Sequence, residues 1–422
     1  MTREMKDSGI PWIGEIPENW EVKRLKQESI FINGFAFDSE DFKIDEGVRV
    51  IRIGDIGLKA DFENCVRAIT NSSILKPYRI EDGDILIAMS GATTGKCCIV
   101  DKSEEAYINQ RVGIIRSDIR KIIYYSLQTP YFMEFVNLNN AGSAQPNISS
   151  KAIGEFPILS IPTTEQQRIA EFLDRKCAEV DEMIGLQEQI IEELKAYKQS
   201  VITEAVTKGL NPTATMRDSG IEWIGSIPEH WEVCRGKNVL VLQKRPVRDN
   251  DEVVTCFRDG EVVLRSLRRT EGFTMSDKEI GYQGINEGDI VIHGMDGFAG
   301  AMGVSKSTGK GSPVLVVCSP KYDAVPQFIV YYLRALAIMD VFVSLATGIR
   351  ERSCDLRWNK ISELPFVLPS STEQQAITDY LDEKCADIDS LIQTKQSKID
   401  SLKEYKKSII YEYVTGKREV EL

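Results

Sequence analysis

The chain has 422 residues, a net charge of -12, nine cysteines and two histidines. That length predicts two or three domains rather than one core. No C-x-x-C pair is present, which excludes a structural zinc site and a disulfide scaffold, and two histidines are too few for a His-based triad or metal cluster. The absence of an apolar leader and of eighteen consecutive apolar residues predicts a cytoplasmic chain with no membrane span.

Reading from the N-terminus, the first distinctive stretch is MKDSGIPWIGEIPENWEV, residues 5–22, which returns as MRDSGIEWIGSIPEHWEV at 216–233 with fourteen of eighteen positions identical. Trp12, Ile13, Ile16 and Trp20, and their counterparts Trp223, Ile224, Ile227 and Trp231, are predicted packing anchors, with turns at Gly14-x-x-Pro17 and Gly225-x-x-Pro228. About 135 divergent residues follow each phrase, alternating short strands and Gly-rich turns with a helix near IIYYSLQTPYFMEFV or QFIVYYLRALAIMDVFV. The aromatic residues of those two helices are expected to be core.

A second repeat closes each half. TEQQRIAEFLDRKCAEVDEMI from Thr164 matches TEQQAITDYLDEKCADIDSLI from Thr372 at an offset of 208. Thr164 and Thr372 are predicted N-caps, with Gln167 and Gln375 completing capping boxes downstream of Pro162 and Pro369. The apolar register Leu173, Cys177, Val180, Ile184, Ile191, Leu194, Val201 recurs as Leu381, Cys385, Ile388, Ile392, Ile399, Leu402, Ile409. Alternating spacings of four and three leave a narrow stripe on a long helix, a coiled-coil seam that requires a partner helix.

The linker TKGLNPTAT at 207–215 is short, so a helix of some 40 residues delivers the second half to its far end. The second helix must return antiparallel to bury its stripe. The expected fold is α+β: two globular α/β heads joined by two long antiparallel coiled-coil helices, an internal repeat with a pseudo-two-fold axis. The expected segments are 1–162, 163–210, 211–370 and 371–422. Acidity concentrates in the repeated parts: -3 over 1–21, -4 over 161–210, -2 over 211–231 and -3 over 372–422, whereas 22–160 carries -1 and 232–371 carries +1. Nearly neutral heads permit a local basic face for nucleic acid.

Two divergent heads on a repeated frame suit the reading of two different short targets at a fixed separation, as successive turns of DNA present. The P-x-x-W-x-x-x-R openings (Pro17, Trp20, Arg24; Pro228, Trp231, Arg235), the G-D-I-(L/V) strands (Gly83 to Leu86; Gly288 to Val291) and the T-E-Q-Q helix starts, in that order twice, resemble the specificity subunit of type I restriction-modification systems. The resemblance spans essentially the whole chain. It implies two target-recognition domains, each reading half of a bipartite asymmetric site in double-stranded DNA, and helices that act as a ruler. It also implies docking of two copies of an adenine methyltransferase subunit and, through them, restriction and translocation subunits. S-adenosylmethionine, ATP and magnesium would then belong to the partners, with no cofactor in this chain.

The residues themselves support a chain without catalytic chemistry. SGATTGKCC has only three residues between Gly91 and Gly95, and Cys97 where a phosphate loop needs Ser or Thr. NPTA at Asn211 lacks the Pro and aromatic that hold a flipped base. The metal carboxylate and lysine suggested by Glu21 and Lys23 are not repeated, because Cys234 replaces the lysine. A self-contained restriction enzyme lacks both motifs and length. The rival reading is a two-headed tether that binds proteins.

Base readout draws on Arg, Lys, Asn and Gln in loops. In the first head the candidates are Thr93, Thr94 and Lys96, then Asn109, Gln110 and Arg111, then Ser143, Gln145 and Asn147. In the second they are His293 with Asp296, Lys310 with Ser312, Arg350 and Arg352, and the LRSLRR arginines Arg265, Arg268 and Arg269.

Overall fold

The computed structural model describes residues 3–43, 46–70, 72–101, 104–140, 146–268, 280–344 and 356–420. Two compact units make up the chain, Met1–Gln187 with Ser397–Leu422, and Glu188–Gln396. Two long helices, Thr163–Lys208 and Ser371–Val414, each begin in one unit and end in the other. Each unit therefore contains one head, the start of the helix that follows it and the end of the other helix.

In the first unit the strands Ile30–Asn33, Val112–Arg116, Ile85–Ala88 and Cys97–Ile99 form an antiparallel sheet in that order. Because successive side chains of a strand point to opposite faces, the all-apolar Ile85–Ala88 serves two cores at once. Ile85 and Ile87 join the core under the helices, while Leu86 and Ala88 join one shared with Ile51, Ile108 and Val112. A second sheet orders Ala106–Ile108, Val48–Ile51, Val66–Ala68 and Phe42–Lys43, its first pair parallel.

The second unit repeats the first sheet as Leu240–Leu242, Leu315–Pro320, Ile290–His293 and Met302–Val304. In place of the mixed sheet it has two antiparallel pairs, Val254–Cys256 with Val262–Leu264 and Gln283–Ile285 with Gly309–Gly311. Heads without recognisable sequence similarity thus share one four-stranded frame.

The predicted aromatic helices are core, with Phe132, Phe328 and Tyr332 wholly buried. The first is not one helix but two, Arg120–Leu127 and Pro130–Asn139. Pro130 forces the break: Thr129 adopts extended backbone before it, and the proline becomes the first residue of the next helix.

Of the predicted seam positions, Leu173 and Leu381 are completely buried and Ile191 and Ile399 nearly so, whereas Ile184, Leu194, Ile392 and Leu402 are half-buried. In the first unit Leu173 and Cys177 share a core with Ile409, Ile410 and Tyr413, so the two helices run antiparallel there. In the second, Leu381 and Cys385 meet Val201, Ile202 and Val206 in the same sense. Lys406 reaches Asp181 at 2.6 Å, and at the matching repeat positions Lys198 reaches Asp389 at 2.7 Å.

Three sequence expectations are corrected. The helices start at Thr163 and Ser371, one residue before Thr164 and Thr372, and Ser370 Oγ accepts the Glu373 N–H at 3.3 Å as the cap of the second. The glutamines that fold back are Gln166 and Gln374, which donate to the carbonyls of Ile161 and Pro369, rather than Gln167 and Gln375. Trp223 is 37% exposed, whereas Trp20 and Trp231 are buried and Trp12 stacks on Tyr131 and Phe156. Gly83-Asp84 and Gly288-Asp289 lie in the turns before their strands, where the positive φ of each glycine (85° and 86°) suits a residue without Cβ.

Candidate nucleic-acid interface

The repeated phrases exist to lock each head to its helix. Trp20 donates its indole N–H to Glu165 Oε2 at 2.9 Å, and Trp231 donates to Glu373 Oε1 at 3.1 Å. The tryptophan of the opening phrase and the glutamate of T-E-Q-Q are therefore one device. A second lock comes from the divergent region: Tyr125 donates to Asp174 Oδ1 at 2.7 Å and Tyr331 to Asp382 Oδ1 at 2.6 Å. Burial raises the pKa of both phenols, reinforced by the carboxylate each one meets.

Beyond the lock, each head carries a buried carboxylate in the turn that launches its central strand. Asp84, 1% exposed, accepts the Glu81 N–H and two bonds from Arg116, at 2.7 and 2.8 Å. Asp289, 4% exposed, accepts the Asn286 N–H and is gripped by Arg245. The carboxylate is repeated but its guanidinium is not. Arg116 ends the neighbouring strand Val112–Arg116, whereas Arg245 follows the strand Leu240–Leu242. The G-D motif could have signalled this carboxylate; no sequence signal linked the two arginines.

At the other end of that strand, three distant segments meet on one residue. In the first head the Met89 N–H donates to the Arg111 carbonyl and the Met89 carbonyl accepts from Ile148 N–H, both at 2.9 Å. In the second head Gly294 makes the same two bonds, to Val314 and from Leu356, again both at 2.9 Å. No side chain is common to the two triads, so backbone geometry alone defines the equivalence.

The first head brings its candidates together around this hub. Gly91 N–H and Thr94 Oγ1 both donate to the Pro146 carbonyl, and Ser90 bridges Asn147. Lys96, Gln110, Arg111 and Asn147 are exposed. Asn109 is partly buried and spends its Oδ1 on the Gln110 N–H at 2.8 Å, and Thr94 is buried as a loop fastener. Thr93 is half-buried, its Oγ1 enclosed and without a hydrogen-bond partner among the described residues. Gly91 packs near Ile53, which places the half-exposed Arg52, unremarked in the sequence, beside the same loop. Ser143 and Gln145 lie outside the described residues.

The second head assembles a different set. His293 ends the central strand, one residue before the hub, and its Nδ1 accepts the Asp296 N–H at 2.9 Å. Burial lowers its pKa below the ordinary histidine value, which favours the neutral ring near pH 7. The Asp296 carboxylate pairs with Arg258 at 2.8 Å. Ser312 accepts the Leu315 N–H through its carbonyl. Arg265 and Lys310 converge on one stretch, their N–H groups donating to the Val253 and Glu252 carbonyls. Arg268 is instead held by Asp259 and Glu261 and lies 4.3 Å from the Phe257 ring centroid. Its charge is thereby largely neutralised. Arg269, Arg350 and Arg352 lie outside the described residues.

Among the described residues no cluster of His, Cys, Asp and Glu could hold a metal, and no helix is long and apolar enough to cross a membrane. Residues 17–196 match the type I restriction modification DNA specificity domain. That match places a DNA specificity domain over the first head and most of the long helix that follows it. The specificity subunit of the type I restriction enzyme EcoBI from Escherichia coli is 26% identical over 92% of this chain and 84% of its own length. That of MjaVIII from Methanocaldococcus jannaschii is 24% identical over 95% and 93%. Over most of its length the chain is similar to specificity subunits of type I restriction enzymes.

Solved structures agree on the fold. A chain from a study of assembly and conformational transition in the type I system gives a TM-score of 0.69 at 15% identity, covering 94% of this chain and 98% of that one. The HsdS subunit from Thermoanaerobacter tengcongensis gives 0.50 at 15% identity, covering 96% and 98%. These similarities support a non-catalytic DNA-recognition subunit over the protein tether.

Proposed function

We propose that this chain reads a bipartite, asymmetric sequence in double-stranded DNA, one half-site per head, for a type I restriction-modification complex in the cytoplasm. The observation that carries the reading is the shared hub. Met89 and Gly294 gather the same three segments in the same backbone geometry while presenting different side chains, as two readers of different sequences require. In the first head Lys96, Gln110, Arg111 and Asn147 contact DNA, with Arg52 beside them; in the second, His293, Arg265 and Lys310 do. Thr94 and Asn109 position their loops.

Two copies of an adenine methyltransferase subunit dock on the repeated phrases and helices, and restriction-translocation subunits join through them. S-adenosylmethionine, ATP and magnesium reside on those partners. The test is co-expression with the methyltransferase subunit, followed by single-molecule sequencing of N6-methyladenine. One bipartite motif is expected, and exchanging a head should change one half-site only. A stable complex that adds no methylation would overturn the proposal.

A further inference from the structure

His293 fills a position that the first head leaves apolar. It ends the strand Ile290–His293 as Ala88 ends Ile85–Ala88, one residue before each hub, and Ala88 is wholly buried in a core with Leu86. The shared frame therefore needs no polar side chain there. His293 is only partly covered, its side chain 21% exposed. Its Nδ1 accepts the Asp296 N–H at 2.9 Å, and a backbone N–H can only donate, so that nitrogen carries no proton. Burial favours the neutral ring, whose one proton then sits on Nε2. Among the described residues Nε2 is neither enclosed nor partnered. The ring thus offers one donor of fixed identity.

Two residues on, Met295 offers the opposite chemistry. Its side chain is 53% exposed, although the residue in the same place in the first head, Ser90, is buried. The turn that carries the methionine is held on several sides. Gly294 N–H donates to the Val314 carbonyl and the Gly294 carbonyl accepts from Leu356 N–H, both at 2.9 Å. Gly297 packs so closely that a Cβ there would lie 2.5 Å from Leu356 Cδ1. Arg258 grips the Asp296 carboxylate at 2.8 Å. One braced turn on the hub of the second head therefore carries both a defined donor and an uncovered thioether.

In the major groove thymine presents an acceptor, O4, beside a methyl group. Cytosine presents an amino donor and no methyl, guanine two acceptors, and adenine an acceptor beside a donor. We infer that the turn at residues 293–296 reads a thymine of the second half-site from the major groove, His293 Nε2–H donating to O4 and Met295 covering the 5-methyl. The inference rests on the proposed function in taking the hub to face DNA, and it adds which base is read and by which atoms. The first head, with Ala88 and Ser90 at these places, has no such reader there.

The experiment takes the complex of the full chain with methyltransferase subunit and duplexes that carry its methylation motif. Each thymine of both half-sites is replaced in turn by uracil, which removes only the methyl, and fluorescence anisotropy gives each Kd. One thymine of the second half-site should lose about fourfold in affinity, the effect of one buried methyl. Met295→Ala should bind the thymine and uracil duplexes alike. Exchanging that T·A pair for C·G should weaken wild type by at least about fivefold, and His293→Asn should lose most of this preference. The asparagine can still accept the Asp296 N–H but is too short to reach the base, which separates reading from turn capping.

Met295 is exposed, so Met295→Ala should melt as wild type does, and it keeps the test decisive if His293→Asn melts early. The inference is overturned if no thymine methyl of the second half-site matters, if the methyl dependence survives Met295→Ala, or if a stably folded His293→Asn keeps the full T·A preference. A complex that prefers no motif over random duplex refutes DNA reading itself. Specific binding without these effects refutes only the assignment of this turn.

Discussion

Trp20 and Glu165, 145 residues apart in sequence, are joined by one hydrogen bond of 2.9 Å that ties the opening phrase of the chain to the start of its first long helix. Glu165 is also paired with Arg3 at 2.6 Å. Trp20→Phe keeps most of the apolar burial but removes one of the two donors to Glu165 Oε2, leaving Arg3 at 2.9 Å. Urea unfolding should show a loss of about 1 to 3 kcal/mol. Trp231→Phe, facing Glu373, should cost a similar amount.

The reciprocal pairs Lys406–Asp181 and Lys198–Asp389 set the register of the antiparallel helices. Both are partly exposed, so each contributes modestly, about 0.2 to 1 kcal/mol. Lys406→Glu should destabilise by at least that much, and adding Asp181→Lys should restore most of the loss. A double-mutant cycle in thermal melts checks the coupling, which should shrink at 1 M salt.

Asp84 presents a harsher case because it is buried. Asp84→Ala leaves the partly buried Glu81 N–H without its acceptor and Arg116 with only the Glu81 carboxylate and the Arg79 carbonyl, and should cost about 1 to 3 kcal/mol in urea unfolding. Arg116→Lys loses the bidentate geometry and should cost less.

Burial pushes the thiols of Cys97, Cys98, Cys256 and Cys318 up to about 12. Native protein at pH 8 should therefore leave these four unreacted with a disulfide reagent, and all should react once unfolded. Since the folded values lie above the unfolded value near 9, the folded state binds more protons in that window. Their contribution to stability is full below pH 9 and is lost as pH rises toward 12. Alkaline melts should show that decline.

For DNA reading, Lys96→Ala should weaken binding to all sequences alike and lower the salt slope by about one ion, leaving the motif intact. Gln110→Ala or Arg111→Ala should relax one position of the first half-site, at a cost of about 1 to 3 kcal/mol. Anisotropy titrations across salt and across mismatched sites separate the two effects.

The sequence by itself determined the tandem organisation, the two long helices and the seam they bury, because a gapless repeat and a four-three apolar period are local patterns with one physical solution. It also marked Trp20, Trp231 and T-E-Q-Q as a matched set without revealing that they touch. Hydrogen bonds across 145 residues leave no local trace.

Only the tertiary structure decided which loops gather at Met89 and Gly294, that Arg116 and Arg245 come from different strands to hold equivalent carboxylates, and that Trp223 is exposed while Trp12 is half-buried. It also removed Arg268 from the free charges, since Asp259 and Glu261 hold it. Such facts depend on which distant segments the sheet brings into contact. Composition and periodicity fix what each segment becomes, and long-range packing fixes what it meets.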